Sequence, residues 1–98
     1  RMTIKNVEPA KIKAGQDFNL QEGYSSLEVT GTGFTPACKI YFNGKPQPIT
    51  FISQNCFTAN VSKEFYARPG KLEIQVKLED SMGKIIGESN KLIIEIEE

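Results

Sequence analysis

The run LEVTGTGF (Leu27 to Phe34), followed after a short polar stretch by KIYFNG (Lys39 to Gly44), decides the fold of this chain. Leu27 and Val29 alternate with Glu28 and Thr30, the two-residue period of a half-buried strand. Gly31 and Gly33 then interrupt the strand. Glycine at such a place marks a bulge, a tight bend or a close approach of another backbone. Phe34 is expected as an apolar plug at the end of the sheet. Ile40-Tyr41-Phe42 reads as a second strand that runs into Asn43-Gly44, a strong hairpin signal.

Working outward, Thr3 to Val7 reads as a first strand, closed by Pro9, which has no backbone N–H. Residues 10–24 are expected to be irregular, with Gly15, Asp17, Asn19 and Gly23 as loop formers. Within them, Phe18 and Leu20 alternate as a short edge strand. Strands are predicted at Ser25–Gly31, Lys39–Phe42, Thr50–Ser53, Phe57–Val61, Lys71–Leu78 and Leu92–Ile96. Pro46 and Pro48 are expected to keep one edge from pairing with other chains. Phe65-Tyr66-Ala67 is assigned at most a single helical turn. About seven short strands between Gly, Pro and Asn turns, without an amphipathic helix, predict an all-β sandwich or small barrel.

The 98 residues are expected to form one domain, residues 1–98, with a single core. Twelve basic and twelve acidic residues cancel, which argues against nucleic-acid binding through bulk charge. Residues 1–70 hold eight Lys/Arg against five Asp/Glu, and residues 71–98 hold four against seven. A mildly basic body thus precedes a mildly acidic last third, both read as solvated faces. No apolar run approaches a membrane span and no signal peptide is visible. The opening Arg1-Met2 suggests an internal piece of a longer protein or a remnant added in its preparation.

The chain has no histidine, which removes Ser-His-Asp and Cys-His nucleophile systems and histidine zinc sites. Cys38 shares the parity of Ile40 and Phe42, whereas Cys56 is opposite in parity to Phe57, Ala59 and Val61. Two cysteines aimed at different sides of a sheet cannot meet disulfide geometry, so free thiols are expected, with Cys38 in the core. Asp80-Ser-Met-Gly83 is read as a turn capped by its own aspartate rather than a calcium loop, because calcium needs six to eight oxygens. Asn60-Val61-Ser62 is a glycosylation sequon, with meaning only in a eukaryotic secretory pathway. No cofactor or metal is expected.

The ordered set Ile4-x-x-Val7-x-Pro9, Gly15, Leu27-x-Val29-x-Gly31-x-Gly33-Phe34 and Ile40-x-Phe42-Asn43-Gly44 resembles the IPT/TIG domain. The resemblance continues through Phe57-x-Ala59-x-Val61, Gly70-x-Leu72-x-Ile74-x-Val76, Gly83 and Leu92-x-Ile94-x-Ile96. It implies an immunoglobulin-like antiparallel β-sandwich and a non-catalytic module. Residues 10–24 and 79–90 read as connections longer than the family's usual ones. Such domains occur in bacterial surface proteins and polysaccharide-acting enzymes, in plexin-type receptors and in Rel-type transcription factors. The bacterial extracellular setting fits best, since the chain has neither a sandwich-spanning cysteine pair nor a basic DNA-reading loop.

The resulting expectation is an accessory module of a larger bacterial surface or secreted protein, extracellular or at the cell surface. It would act as a spacer or protein-docking domain. Its partners would be neighbouring domains or another protein, with no nucleic acid. The alternative is a carbohydrate-binding module that uses outward aromatics to stack on polysaccharide. Tyr41 is opposite in parity to Ile40 and Phe42, and Phe51 to Ile52, which would place both on the outer face of one sheet. Tyr66, near Arg68, is a third binding candidate, expected to tuck against the core.

Overall fold

The computed structural model describes residues 1–21 and 24–98. Ten strands pack as two sheets of five. They are β1 (Thr3–Glu8), β2 (Lys11–Lys13), β3 (Asn19–Gln21), β4 (Tyr24–Thr32), β5 (Cys38–Phe42), β6 (Lys45–Pro48), β7 (Thr50–Ser53), β8 (Cys56–Asn60), β9 (Gly70–Glu79) and β10 (Ile85–Glu97). A single 3-10 turn spans Lys63–Phe65. The first sheet runs β1-β4-β8-β7, with β3 also on β4, and the second runs β2-β10-β9-β5-β6. The pairings are antiparallel except that of β2 with β10, where Lys11 lies opposite Glu95 and Lys13 opposite Glu97. The architecture is an immunoglobulin-like β-sandwich.

Alternation builds the core. Leu27, Val29, Phe57 and Ala59 point inward from the first sheet; Ile40, Phe42, Leu72, Ile74, Val76 and Ile94 meet them from the second. Each large side chain removed from water contributes about 1.5–3 kcal/mol before entropy is counted. The hairpin joining β5 and β6 is the predicted one. Asn43 and Gly44 have φ of 50° and 83°, both positive as a two-residue turn of this twist requires. The Asn43 side chain also accepts the Glu73 N–H at 2.8 Å, which ties the turn to β9.

The interrupted strand at Gly31 and Gly33 has a specific cause. The first residues of the chain lie directly over both glycines. A Cβ on Gly31 would overlap the Thr3 carbonyl oxygen and stand 2.9 Å from Phe34 Cζ. A Cβ on Gly33, whose φ is 81°, would overlap the Arg1 carbonyl oxygen. The Gly31 backbone also bonds twice to Asn55, its N–H donating to the Asn55 carbonyl at 2.9 Å and its carbonyl accepting from Asn55 Nδ2 at 2.9 Å. Phe34 is buried edge-on against Phe57 at 4.9 Å, the plug its position predicted. Asn90 of β10 joins the two sheets beside this point. Its side-chain oxygen accepts the Ile4 N–H at 2.7 Å, and its amide donates to the Ile4 carbonyl at 3.0 Å.

Three sequence expectations change. The described part of residues 10–24 holds more strand than expected: after Pro9 the chain crosses to the second sheet and forms β2, and β3 occupies the place expected for a short edge strand. Gly23 lies outside the described residues. The proposed long excursion at 79–90 is wrong, since only residues 80–84 lie between β9 and β10. Register shifts between Ile85 and Gly87, and again between Glu88 and Lys91, break the alternation that would have revealed the strand. One shift buries Ser89, whose hydroxyl accepts the Val76 N–H at 2.9 Å and donates to the Asn90 carbonyl at 2.7 Å. Finally, the segment with Pro46 and Pro48 is itself an edge strand, β6.

Replacing Gly31 with alanine is expected to cost at least about 2 kcal/mol, because the Thr3 backbone must move off the sheet. Chemical denaturation of the Gly31→Ala protein would show this as a lower midpoint; an unchanged midpoint would mean that the close approach is not needed.

Candidate functional site

Tyr41 stands on the outer face of the second sheet, as its parity predicted. Lys77 Nζ lies 4.6 Å from the ring centroid, within cation–π range. Lys39, on the same strand, pairs with Glu79 at 3.2 Å. Partial burial raises the Tyr41 phenol above its ordinary pKa, the Glu79 carboxylate raises it further, and Lys39 opposes the rise. The ring is therefore part of a charge-laced sheet face, with one of its own lysines held against it.

Phe51 does not join it. It lies on β7 of the opposite sheet and packs against the core, while its neighbour Ile52 is 57% exposed. The expected parity is inverted here. β7 is four residues long with a register shift between Phe51 and Ser53, so alternation gave no reliable inside and outside. The premise that Tyr41 and Phe51 share one outer face is thus corrected. Tyr66 is buried as expected. Its hydroxyl donates to Asp17 Oδ1 at 2.7 Å and its ring meets Phe18 edge-on at 5.0 Å. Burial raises the Tyr66 pKa; Asp17 adds to the rise and Ser25 lowers it.

A groove of about 270 Å³ opens beside this pair, where the end of β10 meets β2. Ile12 and Phe18 supply apolar walls, and Lys11, Lys13, Gln16, Asp17 and Glu97 supply polar ones. Its charges are already neighbours: Lys11 and Lys13 face Glu95 and Glu97 across the parallel pair, and Asp17 is engaged by Tyr66. Sequence reading passed over this groove because residues 10–18 carry no strong period.

The thiols are free, with Cys38 buried and Cys56 half-buried on the other sheet. Cys38 Sγ sits 3.3 Å from Met2 Sδ. Burial raises the Cys56 pKa, and Glu28 raises it further. Asp80 caps its own turn, its Oδ1 accepting the Met82 and Lys84 N–H groups at 2.9 Å each. Among the described residues no group of three His, Cys, Asp or Glu side chains is placed to hold a metal ion. Among the described residues no helix is long and apolar enough to cross a membrane.

The model of the IPT/TIG domain matches residues 2–92, and the chain belongs to that family. IPT/TIG domains are immunoglobulin-like modules, often parts of larger proteins and typically non-catalytic. No curated protein matches the chain.

The Tyr66 arrangement predicts a pH response. Its folded pKa is raised, so the stabilisation is full below the unfolded value of about 10 and is lost as pH climbs through the folded value. Tyr66→Phe should cost about 1 kcal/mol near neutrality through the lost hydrogen bond. It should also reduce the fall in stability above pH 10, as read from urea unfolding at several pH values. An alkaline loss identical to that of the parent would rule out this role for Tyr66.

Proposed function

We propose that this domain is a non-catalytic spacer and docking module of a larger bacterial surface or secreted protein. The observation that supports the spacer role most directly is the path of the chain through the sandwich. Met2 packs near Gly87 and Cys38 at one pole, whereas Glu97 lies beside Lys13 and accepts the Ala14 N–H at 2.7 Å at the other. Between these levels β9 and β10 stay paired from Leu78–Gly87 to Gly70–Ile96, roughly 26 Å of strand. The body measures 38 × 23 × 22 Å, long enough to hold that stretch of strand along its length.

A module threaded in this way separates whatever precedes it from whatever follows, and 26 Å of continuous sheet resists bending. Support for a role without chemistry is the absence of histidine from the sequence, together with described carboxylates that are exposed, paired with lysines or, at Asp80, bound to backbone N–H groups. The extracellular setting rests on the family resemblance alone. Carbohydrate stacking gains no support from the placement of the aromatics, since Tyr41, Phe51 and Tyr66 occupy three different environments.

Fluorophores attached just outside residues 1 and 98 test the spacer role by energy transfer. A rigid spacer gives one narrow distance distribution of about 25–40 Å, between the strand length and the 38 Å extent of the body, and keeps it when further domains are fused at either end. A broad distribution, or one centred well below that range, would defeat the proposal.

A further inference from the structure

Of the asparagines in the chain (Asn6, Asn19, Asn43, Asn55, Asn60 and Asn90), only Asn43 is followed by glycine. That pairing carries a reaction of its own. The amide nitrogen of a residue without a Cβ is an unhindered nucleophile, and the asparagine Cγ is an electrophile one five-membered ring away. Asn43 and Gly44 are both exposed at the tip of the β5–β6 hairpin, and a Cβ on Gly44 would meet nothing within 4 Å. Water and hydroxide reach both residues.

The folded turn holds the reacting atoms apart. With φ of 50° at Asn43 and 83° at Gly44, the loop is a primed two-residue turn. Such a turn swings the nitrogen of the second residue away from the side chain of the first. The Asn43 side chain is held as well: its oxygen accepts the Glu73 N–H at 2.8 Å, while its own N–H donates to the Glu73 carbonyl at 2.9 Å. Ring closure requires the Asn43–Gly44 peptide to rotate and the side chain to leave Glu73.

We propose that Asn43 is a site of spontaneous modification, an asparagine that converts itself to aspartate and isoaspartate, with the clamp to Glu73 as the lock that sets the rate. The Gly44 nitrogen, its proton removed by hydroxide, bonds to Asn43 Cγ. The Cγ–Nδ2 bond breaks, and ammonia leaves with a proton taken from water. Water then opens the cyclic imide: cleavage at Cγ gives aspartate, and cleavage at the main-chain carbonyl gives isoaspartate. Nothing is oxidised or reduced. Isoaspartate routes the backbone through Cβ and Cγ, so the two-residue loop that sets Phe42 opposite Lys45 gains a backbone atom. Either product also adds a negative charge beside Glu73. The isoaspartyl form cannot keep both the turn and its bonds to β9.

The test compares two slowing factors in the parent chain at mildly alkaline pH. Mass spectrometry with fragmentation follows conversion at Asn43 in the folded protein and in a peptide of residues 39–48, which lacks the lock. Hydrogen exchange at the Glu73 amide reports how often the lock opens. A reaction that runs only through that opening is slowed, relative to the peptide, by the protection factor of the Glu73 amide. The two factors are expected to agree within about fivefold and to be at least tenfold, an opening free energy of about 1.4 kcal/mol or more. Urea below the unfolding midpoint should speed exchange and conversion in proportion. The proposal is overturned by a folded chain that reacts as fast as the peptide, by factors that disagree beyond fivefold, or by a conversion rate indifferent to urea. Modification of another asparagine ahead of Asn43 also overturns it. The lock does not rest on the spacer reading, so failure of either leaves the other standing.

Discussion

The first three residues of the chain rest on two glycines of β4 and its extension, and much of the rest of the structure follows from that contact. Gly31 and Gly33 have no Cβ to hold the Thr3 and Arg1 carbonyls away. β1 can therefore begin at the level where β4 ends, and Met2 reaches the sulfur of Cys38 in the second sheet. The same glycine accepts and donates to Asn55, which fixes the turn between β7 and β8. Phe34, three residues after Gly31, fills the space against Phe57. Four separate parts of the chain thus meet at one point because two side chains are missing there.

This contact also sets the path on which the spacer reading depends. With its start pinned at the Gly87 pole, β1 pairs with β4 from Thr32 to Glu28, and the chain crosses after Pro9 and continues as β2 beside the end of β10. Asn90 bonds to both backbone groups of Ile4 and supplies across the two sheets what a neighbouring strand supplies within one. Buried backbone groups that lack a partner cost about as much as a lost hydrogen bond, so the clamp matters at an edge that the second sheet leaves open.

How much of this was legible in the sequence depended on the period of each segment. Lys71 to Leu78 and Leu27 to Val29 alternate apolar and polar residues, and the apolar Leu72, Ile74, Val76, Leu27 and Val29 are buried. Asn43-Gly44 announced its turn because a two-residue hairpin needs positive φ at both positions. The glycine pair marked a close approach without revealing what approached, since Thr3 is 28 positions away from Gly31 in sequence. Where strands are bulged, the period misled. Buried Ser89 sits where the period of β10 breaks and hides the first half of that strand; its hydroxyl accepts the Val76 N–H and its carbonyl accepts from the buried Gln75 side chain of β9. At Phe51 a single register shift exchanged inside for outside and removed the basis for a shared aromatic face with Tyr41. The groove at Ile12 and Phe18 has no linear signature, because it forms where a three-residue strand meets the end of another.

Native-state hydrogen exchange tests most directly whether the N-terminal strand is structural rather than an appended arm. The account predicts that the Ile4 amide, donated to Asn90, and the Gly31 amide, donated to Asn55, exchange only through global unfolding. Their opening free energies should then equal those of Ile74 and Val76 in the core. If Ile4 and Gly31 instead exchange through local fraying, several kcal/mol below a still protected Val76, the glycine contact does not hold the fold together.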